Sequence, residues 1–70
     1  MDWHSTGVRE ELLIGFSGRM RIELGSPERV RRTITLRSGQ SAFLPIDTWH
    51  RVVNQTHGEA RYIYVTAPAP

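Results

Sequence analysis

The feature that most constrains the fold is the frequent interruption of the chain by turn residues. Short segments of alternating apolar and polar residues are separated by Gly, Pro, Ser and Asn, at intervals of about eight to twelve residues. No segment has the length and periodicity of a long helix. We therefore expect an all-β fold, an antiparallel sandwich or barrel. The predicted strands cover residues 10–16, 19–24, 30–37, 42–45, 50–54 and 60–66.

A helix is a rival interpretation for residues 10–14, because Glu and Leu favour helices. Gly15 and Gly18 would weaken so short a helix, whereas Ile14 and Phe16 suit a strand. As a strand, the segment carries apolar groups on both faces, which predicts that both faces are covered. The following Ser17-Gly18 turn predicts a hairpin with residues 19–24.

The size of the chain limits the stability that it can obtain alone. Seventy residues form one domain with a marginal core, and no cysteine is available for disulfides. A metal, a partner subunit or tight packing must therefore contribute. No apolar run reaches the roughly 20 residues of a membrane span, and no signal segment is visible at the start. We expect a cytoplasmic protein that does not enter the membrane.

The charge pattern argues against nucleic acid as a partner. All nine basic residues are arginine, and the isoelectric point is about 9.9, but the net charge is only +2 because seven acids are interspersed. Nucleic-acid domains gather basic residues on one face and interleave stacking aromatics. In residues 19–23 the alternation instead predicts a mixed, solvated outer face.

Three residues carry the chemical interest of the sequence: His4, Glu11 and His50. Two imidazoles and one carboxylate suit a divalent first-row metal with open coordination positions. The alternation in residues 49–54 places His50 on the same strand face as an apolar residue. Such a histidine is either buried and hydrogen-bonded to the backbone or holds a ligand, and spacing alone leaves both open.

The neighbours of these residues resemble the two sequence motifs of the cupin superfamily. The second motif, G-x(5)-P-x-G-x(2)-H-x(3)-N, is matched in residues 39–54, with Asp47 in place of its second glycine. The first motif, G-x(5)-H-x-H-x(3,4)-E-x(6)-G, is matched in part by His4, Glu11 and Gly18. Thr6 stands where the second histidine of that motif is expected.

The resemblance implies a small antiparallel jelly-roll-type β-barrel with a metal inside its mouth. Carried over by position, the metal ligands are His4, Glu11 and His50, and the metal is Fe, Mn, Ni or Zn. Thr6 removes one imidazole from this set. The one or two strands that usually precede the first motif are lacking, which would leave exposed sheet edges. We therefore expect a homodimer.

The sequence also suggests what surrounds the metal and where the domain ends. One domain is expected over residues 1–66, followed by an exit tail over residues 67–70. Trp49 is expected to pack in the core or to shield the pocket. Tyr62 and Tyr64 are interpreted either as interface residues or as substrate contacts, and His57 as an exposed turn residue. The residues expected to line the pocket are Thr6, Leu13, Met20, Phe43 and Trp49.

Three functions remain open. The first is a metal-dependent cupin enzyme (a dioxygenase, isomerase or decarboxylase). The second is a cupin that binds a small molecule and catalyses no reaction. The third is a dimeric structural module whose site has decayed. Thr6 counts against the first function, and the intact Glu11 and His50 count against the third. Fold alone does not decide between them.

Overall fold

A computed structural model describes residues 2–70, and every regular element in this range is a β-strand. The predicted all-β class is confirmed, and the helical alternative for residues 10–14 is excluded because a strand covers them. Across the described range, the chain has no helix of the length and hydropathy needed to cross a bilayer. The strands are β1 (His4–Ser5), β2 (Arg9–Ser17), β3 (Arg19–Gly25), β4 (Val30–Arg37), β5 (Ser41–Leu44), β6 (Trp49–Asn54) and β7 (Arg61–Pro68).

The strands form two antiparallel sheets, one in the order β1-β6-β3-β4 and the other in the order β5-β2-β7. Each sheet turns alternate residues toward the other sheet, and the small apolar core lies between them. This arrangement is consistent with a jelly-roll-like fold. The buried apolar residues are Leu13, Met20, Ile22, Leu36, Ala42, Leu44 and Val52.

The predicted hairpin between residues 10–16 and 19–24 is wrong. Strand β2 pairs with β5 and β7, whereas β3 pairs with β4 and β6, so the two segments lie in different sheets. Gly18, with φ of 75°, carries the chain from one sheet to the other. A Cβ at this position would lie 2.8 Å from the Ala60 Cβ. Alternation predicted both strands correctly, but it does not specify which strands pair.

The two faces of β2 have different environments. Leu13 and Gly15 point into the domain and are buried, and Glu11 on the same face is half-buried. On the outer face, Leu12 and Phe16 are exposed, Phe16 by 62%. Cover on both faces was expected from the apolar residues of this strand. Within one chain only the inner face is covered.

Two elements differ from the predicted boundaries. Strand β1 was not predicted, because a two-residue strand has no readable alternation. Strand β7 continues to Pro68, which pairs with Arg9, and the Ala69 N–H donates to the Val8 carbonyl at 3.2 Å. The first two residues of the expected exit tail are therefore part of a sheet.

The loop between β5 and β6 is held in a defined conformation. Asp47, which stands in place of the second glycine of the motif, has φ of 53°, a left-handed conformation that Asp accepts more readily than most residues. Its N–H donates to the Gly7 carbonyl at 2.8 Å, which joins this loop to the loop between β1 and β2. Both loops lie beside the histidines of β1 and β6, so this contact positions the site.

The outer face of the four-stranded sheet carries a buried acid. Glu23 accepts a hydrogen bond from Arg51 Nε at 2.8 Å and forms an ion pair with Arg21 Nε at 3.2 Å. The Arg51 guanidinium also lies over the Trp3 ring, with its Cζ 5.6 Å from the ring centroid. The hydrogen bond from Arg51 lowers the pKa of Glu23 below its ordinary value, and burial opposes this effect. A solvated face was expected here, yet the two arginines cover the carboxylate.

Candidate metal centre

Antiparallel pairing of β1 with β6 brings the two candidate histidines together. His4 and His50 are direct partners in the register, and their ring centroids lie 4.2 Å apart with an interplanar angle of 65°. Cross-strand partners project from the same face of a sheet, so both imidazoles lie on one face, His50 buried and His4 more exposed. The two-residue strand β1 therefore has a role beyond sheet pairing, because it places His4 against His50.

His50 is fully buried, with 0% of its surface exposed. Its Nδ1 lies 3.0 Å from the Thr48 carbonyl, and because a carbonyl only accepts, Nδ1 carries the hydrogen. In the neutral ring Nε2 then presents a lone pair. Nε2 is buried and has no hydrogen-bond partner within residues 2–70. A buried nitrogen without a hydrogen-bond partner lowers the stability of the fold, so a ligand bound to Nε2 would stabilise the protein.

Glu11 reaches the same point from the opposite sheet. Its side chain is largely buried, and Oε2 lies 3.7 Å from Nε2 of His50. That separation is longer than a hydrogen bond, which spans roughly 2.7–3.2 Å. A protonated His50 would form an ion pair with this carboxylate, and this is the metal-free alternative for the pair. The gap between the two atoms is wide enough for a third atom to bind both.

One ligand atom each from His4, Glu11 and His50 lies within 4.8 Å of the others. Two ligands at roughly 2.1 Å from a common metal are at most roughly 4.2 Å apart, so small side-chain rotations would bring the three atoms to coordination distances. The donor set of two nitrogens and one carboxylate oxygen suits a divalent first-row metal. The residues therefore fit such a metal, and the Nδ1 hydrogen bond of His50 orients that ring as metal-bound histidines are oriented.

Thr6, at the position of the missing histidine, is not directed at the metal site. Its hydroxyl donates to the Pro45 carbonyl at 2.7 Å and accepts the Thr48 N–H at 3.0 Å. Its own N–H donates to the Thr48 carbonyl at 3.1 Å. Because that carbonyl also accepts from His50 Nδ1, Thr6 holds the group that orients the histidine. Thr6 is a positioning residue in this structure.

A cavity of about 280 Å³ opens beside the three candidate ligands. Its far wall is formed by strand β7, where Tyr62 and Tyr64 turn toward it, and by Leu13 of β2. Burial, and then the charge of Glu11, raises the pKa of Tyr62 above its ordinary value, so this phenol stays protonated at neutral pH. The cavity is lined by His4, Ser5, Thr6, Arg9, Glu11, Leu13, His50, Tyr62, Tyr64 and Thr66.

Three of the residues expected to line this cavity lie elsewhere. Phe43 is 57% exposed, because its neighbours Ala42 and Leu44 take the inward positions of β5. Trp49 is 50% exposed for the same reason, since His50 takes the inward position of β6. Aromatic character suggested burial for both, but strand alternation decides against it.

Met20 is buried as expected, but it lines a separate depression. That depression also includes Val52 and Asn54, toward the opposite end of β6 from His50. Met20 is therefore a core residue away from the candidate metal centre. His57 is exposed in its turn, as predicted.

Sequence reasoning missed Arg9 and Thr66 and left the two tyrosines undecided. Arg9 lies two residues before Glu11 on β2, so strand alternation puts them on one face, but the predicted strand began at residue 10 and did not include Arg9. Thr66 is the register partner of Glu11. That pairing depends on the long-range contact of β2 with β7 and has no local signature.

An all-β, jelly-roll-like domain with two histidines and a glutamate gathered between its sheets defines the structural class of this protein. The chain belongs to the cupin family, since the sequence profile of the Cupin domain matches residues 1–66. No curated protein and no solved structure gives a significant match to the chain.

Proposed function

We propose that this cupin binds a divalent transition metal through His4, Glu11 and His50, and a small molecule in the adjoining cavity. The observation that carries the proposal is the buried Nε2 of His50, which has no hydrogen-bond partner within residues 2–70 and lies 3.7 Å from the Glu11 carboxylate. A bound metal satisfies that nitrogen and the carboxylate together.

Three protein ligands would leave further coordination positions of a bound metal open, and the same three residues line the cavity. A metal there supplies Lewis-acid or redox chemistry to a molecule bound beside it. Iron, manganese, nickel and zinc are all compatible with the donor set. The reaction classes that we propose are those of a dioxygenase, isomerase or decarboxylase, and the alternative is a cupin that holds a small molecule without transforming it.

Metal content tests the proposal directly. Untagged protein is treated with a chelator, loaded separately with Fe, Mn, Ni and Zn, passed over a desalting column and analysed for metal by mass spectrometry. We expect close to one metal per chain in the parent protein and a trace in His50→Ala. Circular dichroism confirms that the variant remains folded.

His57→Ala is the matched control, because His57 is exposed in a polar turn and lies outside the cavity lining. We expect this variant to retain the parent stoichiometry. A parent protein that carries only trace metal under all four loading conditions would contradict the proposal.

Assays of the metal-loaded protein also distinguish an enzyme from a protein that only binds a small molecule. A substrate screen would follow oxygen consumption and product formation by mass spectrometry, and ligand binding by thermal shift. Turnover that depends on the metal supports an enzyme. A metal-dependent thermal shift without turnover supports the binding alternative.

We further propose that the protein assembles as a homodimer through the outer face of the β5-β2-β7 sheet. Apolar side chains from all three strands meet on that face, and several are more than half exposed. The register places Leu12 beside Phe43 and Val65, and Ile14 beside Ile63, so the surface is continuous. Within these three strands, charged residues lie only toward the ends of this face, with Glu10 near one end of β2 and Arg61, paired with Glu59, at the opposite end of the sheet.

A second copy is the occupant that we propose, because a two-fold arrangement places this self-complementary apolar face of one copy against the same face of the other. A chain with such a small buried core also gains stability from covering this surface. A dimeric structural module without metal is the remaining alternative function, and it shares this surface with the proposed metal-binding protein.

A further inference from the structure

Arg9 is placed at the cavity by strand β2, two residues before the candidate metal ligand Glu11. Its Nε donates to the Thr66 hydroxyl at 3.0 Å, and Nη2 donates to the Thr66 carbonyl at 3.4 Å. These bonds hold the guanidinium against the β7 wall. A guanidinium has five N–H donors, so two bonds to Thr66 leave donors for another acceptor.

Among the described residues, the arginine also lacks a counter-ion. Within residues 2–70, Glu23 pairs with Arg21 and Arg51, and Glu59 pairs with Arg61, but no carboxylate lies within ion-pair distance of Arg9. The residues that line the cavity carry one negative charge, on Glu11, and one positive charge, on Arg9. These two charges therefore cancel before any metal binds.

A divalent metal held by neutral histidines and Glu11 leaves an excess of positive charge in this partly enclosed space. Unbalanced positive charge attracts an anion, and this attraction is partly screened here because Arg9 is exposed. An anionic ligand between the metal and Arg9 would supply that charge. The guanidinium favours planar, two-oxygen acceptors, which it binds with two parallel hydrogen bonds.

The remaining wall is suited to an apolar body behind the anionic group. Leu13 and Tyr64 are register partners, so their side chains are neighbours on the inner surface. Tyr62 lines the same wall. A flat or apolar group can pack against this surface, whereas a compact, fully hydrated anion gains nothing from it.

We infer that the cavity binds a small organic carboxylate, whose carboxylate group is held by Arg9 and whose apolar body packs on Leu13, Tyr62 and Tyr64. The inference rests on the proposed metal-binding function, because the metal supplies the unbalanced positive charge. Arg9 is then a specificity-determining residue that selects the charged end of the ligand and does not hold the metal.

The test uses benzoate as the probe and zinc-loaded protein, because zinc has no redox chemistry that would consume the probe. Binding is measured by titration calorimetry and by chemical-shift changes of the cavity residues. We expect saturable binding of benzoate and at least about tenfold weaker binding of benzamide, which has the same shape without the charge. Inorganic phosphate should bind more weakly than benzoate, because it has no apolar body.

Arg9→Gln should weaken benzoate binding by about tenfold or more and leave the zinc stoichiometry unchanged. Arg31→Gln is the matched control, since Arg31 is exposed on β4 and outside the cavity lining, and it should bind benzoate as the parent does. Tyr64→Ala, a change at an exposed side chain, should weaken benzoate binding and leave phosphate binding unchanged.

The outcomes separate this inference from the proposed function. A parent protein that takes up no zinc overturns the metal-binding function, and the inference with it. Normal zinc uptake overturns the inference alone if benzoate does not bind, if benzamide or phosphate binds as tightly as benzoate, or if Arg9→Gln binds benzoate as the parent does.

Discussion

Thr6 and His50 share one hydrogen-bond acceptor, the backbone carbonyl of Thr48. The Thr6 N–H reaches it at 3.1 Å and His50 Nδ1 lies 3.0 Å from it. The Thr6 hydroxyl also binds both sides of the β5–β6 loop, through the Pro45 carbonyl and the Thr48 N–H. The residue that replaces a histidine of the family motif therefore supports the orientation of the histidine that remains.

Replacing Thr6 by valine should reduce both stability and metal affinity. The substitution keeps the shape of the side chain but leaves the Thr48 N–H and the Pro45 carbonyl without this partner, at a cost of about 1–2 kcal/mol in the free energy of unfolding. With the loop less well held, we expect zinc affinity to fall by about tenfold. Urea denaturation of metal-free protein and competitive zinc titration measure the two effects.

Thr6→Ser is the matched control, because serine keeps the hydroxyl that makes both bonds. We expect its zinc affinity to stay within about twofold of the parent, since the orienting carbonyl keeps its contacts. An equal loss of zinc affinity in the serine and valine variants would show that the hydroxyl does not position His50.

The buried Glu23 should make stability depend on pH in the acid range. Its pKa in the folded protein lies below the ordinary value of about 4.5, mainly because Arg51 donates a hydrogen bond to it. A lowered folded-state pKa stabilises the protein above pH 4.5, and this contribution is lost as the pH falls through the folded-state pKa. Glu23→Gln should therefore lower stability at neutral pH and flatten the decline in acid.

Urea denaturation between pH 3 and 7, with a chelator present, measures this effect without interference from metal binding. Glu28→Gln is the control, because Glu28 is exposed in the loop between β3 and β4. It should follow the pH profile of the parent. A Glu23→Gln profile as steep as that of the parent would mean that Glu23 is not the source of the acid sensitivity.

A charged substitution on the outer face of β7 should prevent formation of the dimer. Ile63 is 52% exposed and lies at the centre of the proposed dimer surface, beside Ile14. We expect Ile63→Glu to convert the dimer to a monomer at low micromolar concentration, because a buried unpaired carboxylate is costly. Sedimentation velocity measures the change.

Val30→Glu is the corresponding control, since Val30 is also exposed but begins β4 in the other sheet. It should leave the sedimentation coefficient at the dimer value. A parent protein that sediments as a compact monomer would contradict the dimer proposal.

Position 47 should tolerate substitution by glycine with little change in stability, but not substitution by a β-branched residue. At φ of 53° a side chain branched at Cβ is strained, so we expect Asp47→Val to lower the free energy of unfolding by about 1–2 kcal/mol. Asp47→Gly should change it by less than about 0.5 kcal/mol, since relief of strain offsets the greater chain entropy of the unfolded state. Thermal denaturation compares the two variants, and equal melting temperatures would contradict the argument.

Local sequence patterns predicted the strands well and their partners poorly. The alternation in residues 19–24 is reproduced in β3, with Met20 and Ile22 buried, because side-chain direction depends only on strand geometry. The hairpin expected at Gly18 does not form. Its glycine is equally compatible with a turn inside one sheet and with a corner between two.

The candidate ligands came from a resemblance to a family, and the structure explains why they can act together. His4 and His50 are 46 residues apart in sequence, and only the pairing of β1 with β6 makes them neighbours. At Phe43 and Trp49, residue type alone gave a wrong prediction. Their aromatic character suggested burial, but the register gives the inward positions to their neighbours.

The amino-acid sequence by itself determined the β-strand class and the turn positions, because these depend on alternation and turn chemistry, and its resemblance to a family supplied the candidate metal ligands. The tertiary structure decided which strands pair, which face of β2 is covered, and that Arg9 and Thr66 meet at the cavity. Those outcomes depend on contacts between residues distant in sequence, and no local pattern encodes them. The same long-range packing left Nε2 of His50 buried beside Glu11, and that placement supports a metal site.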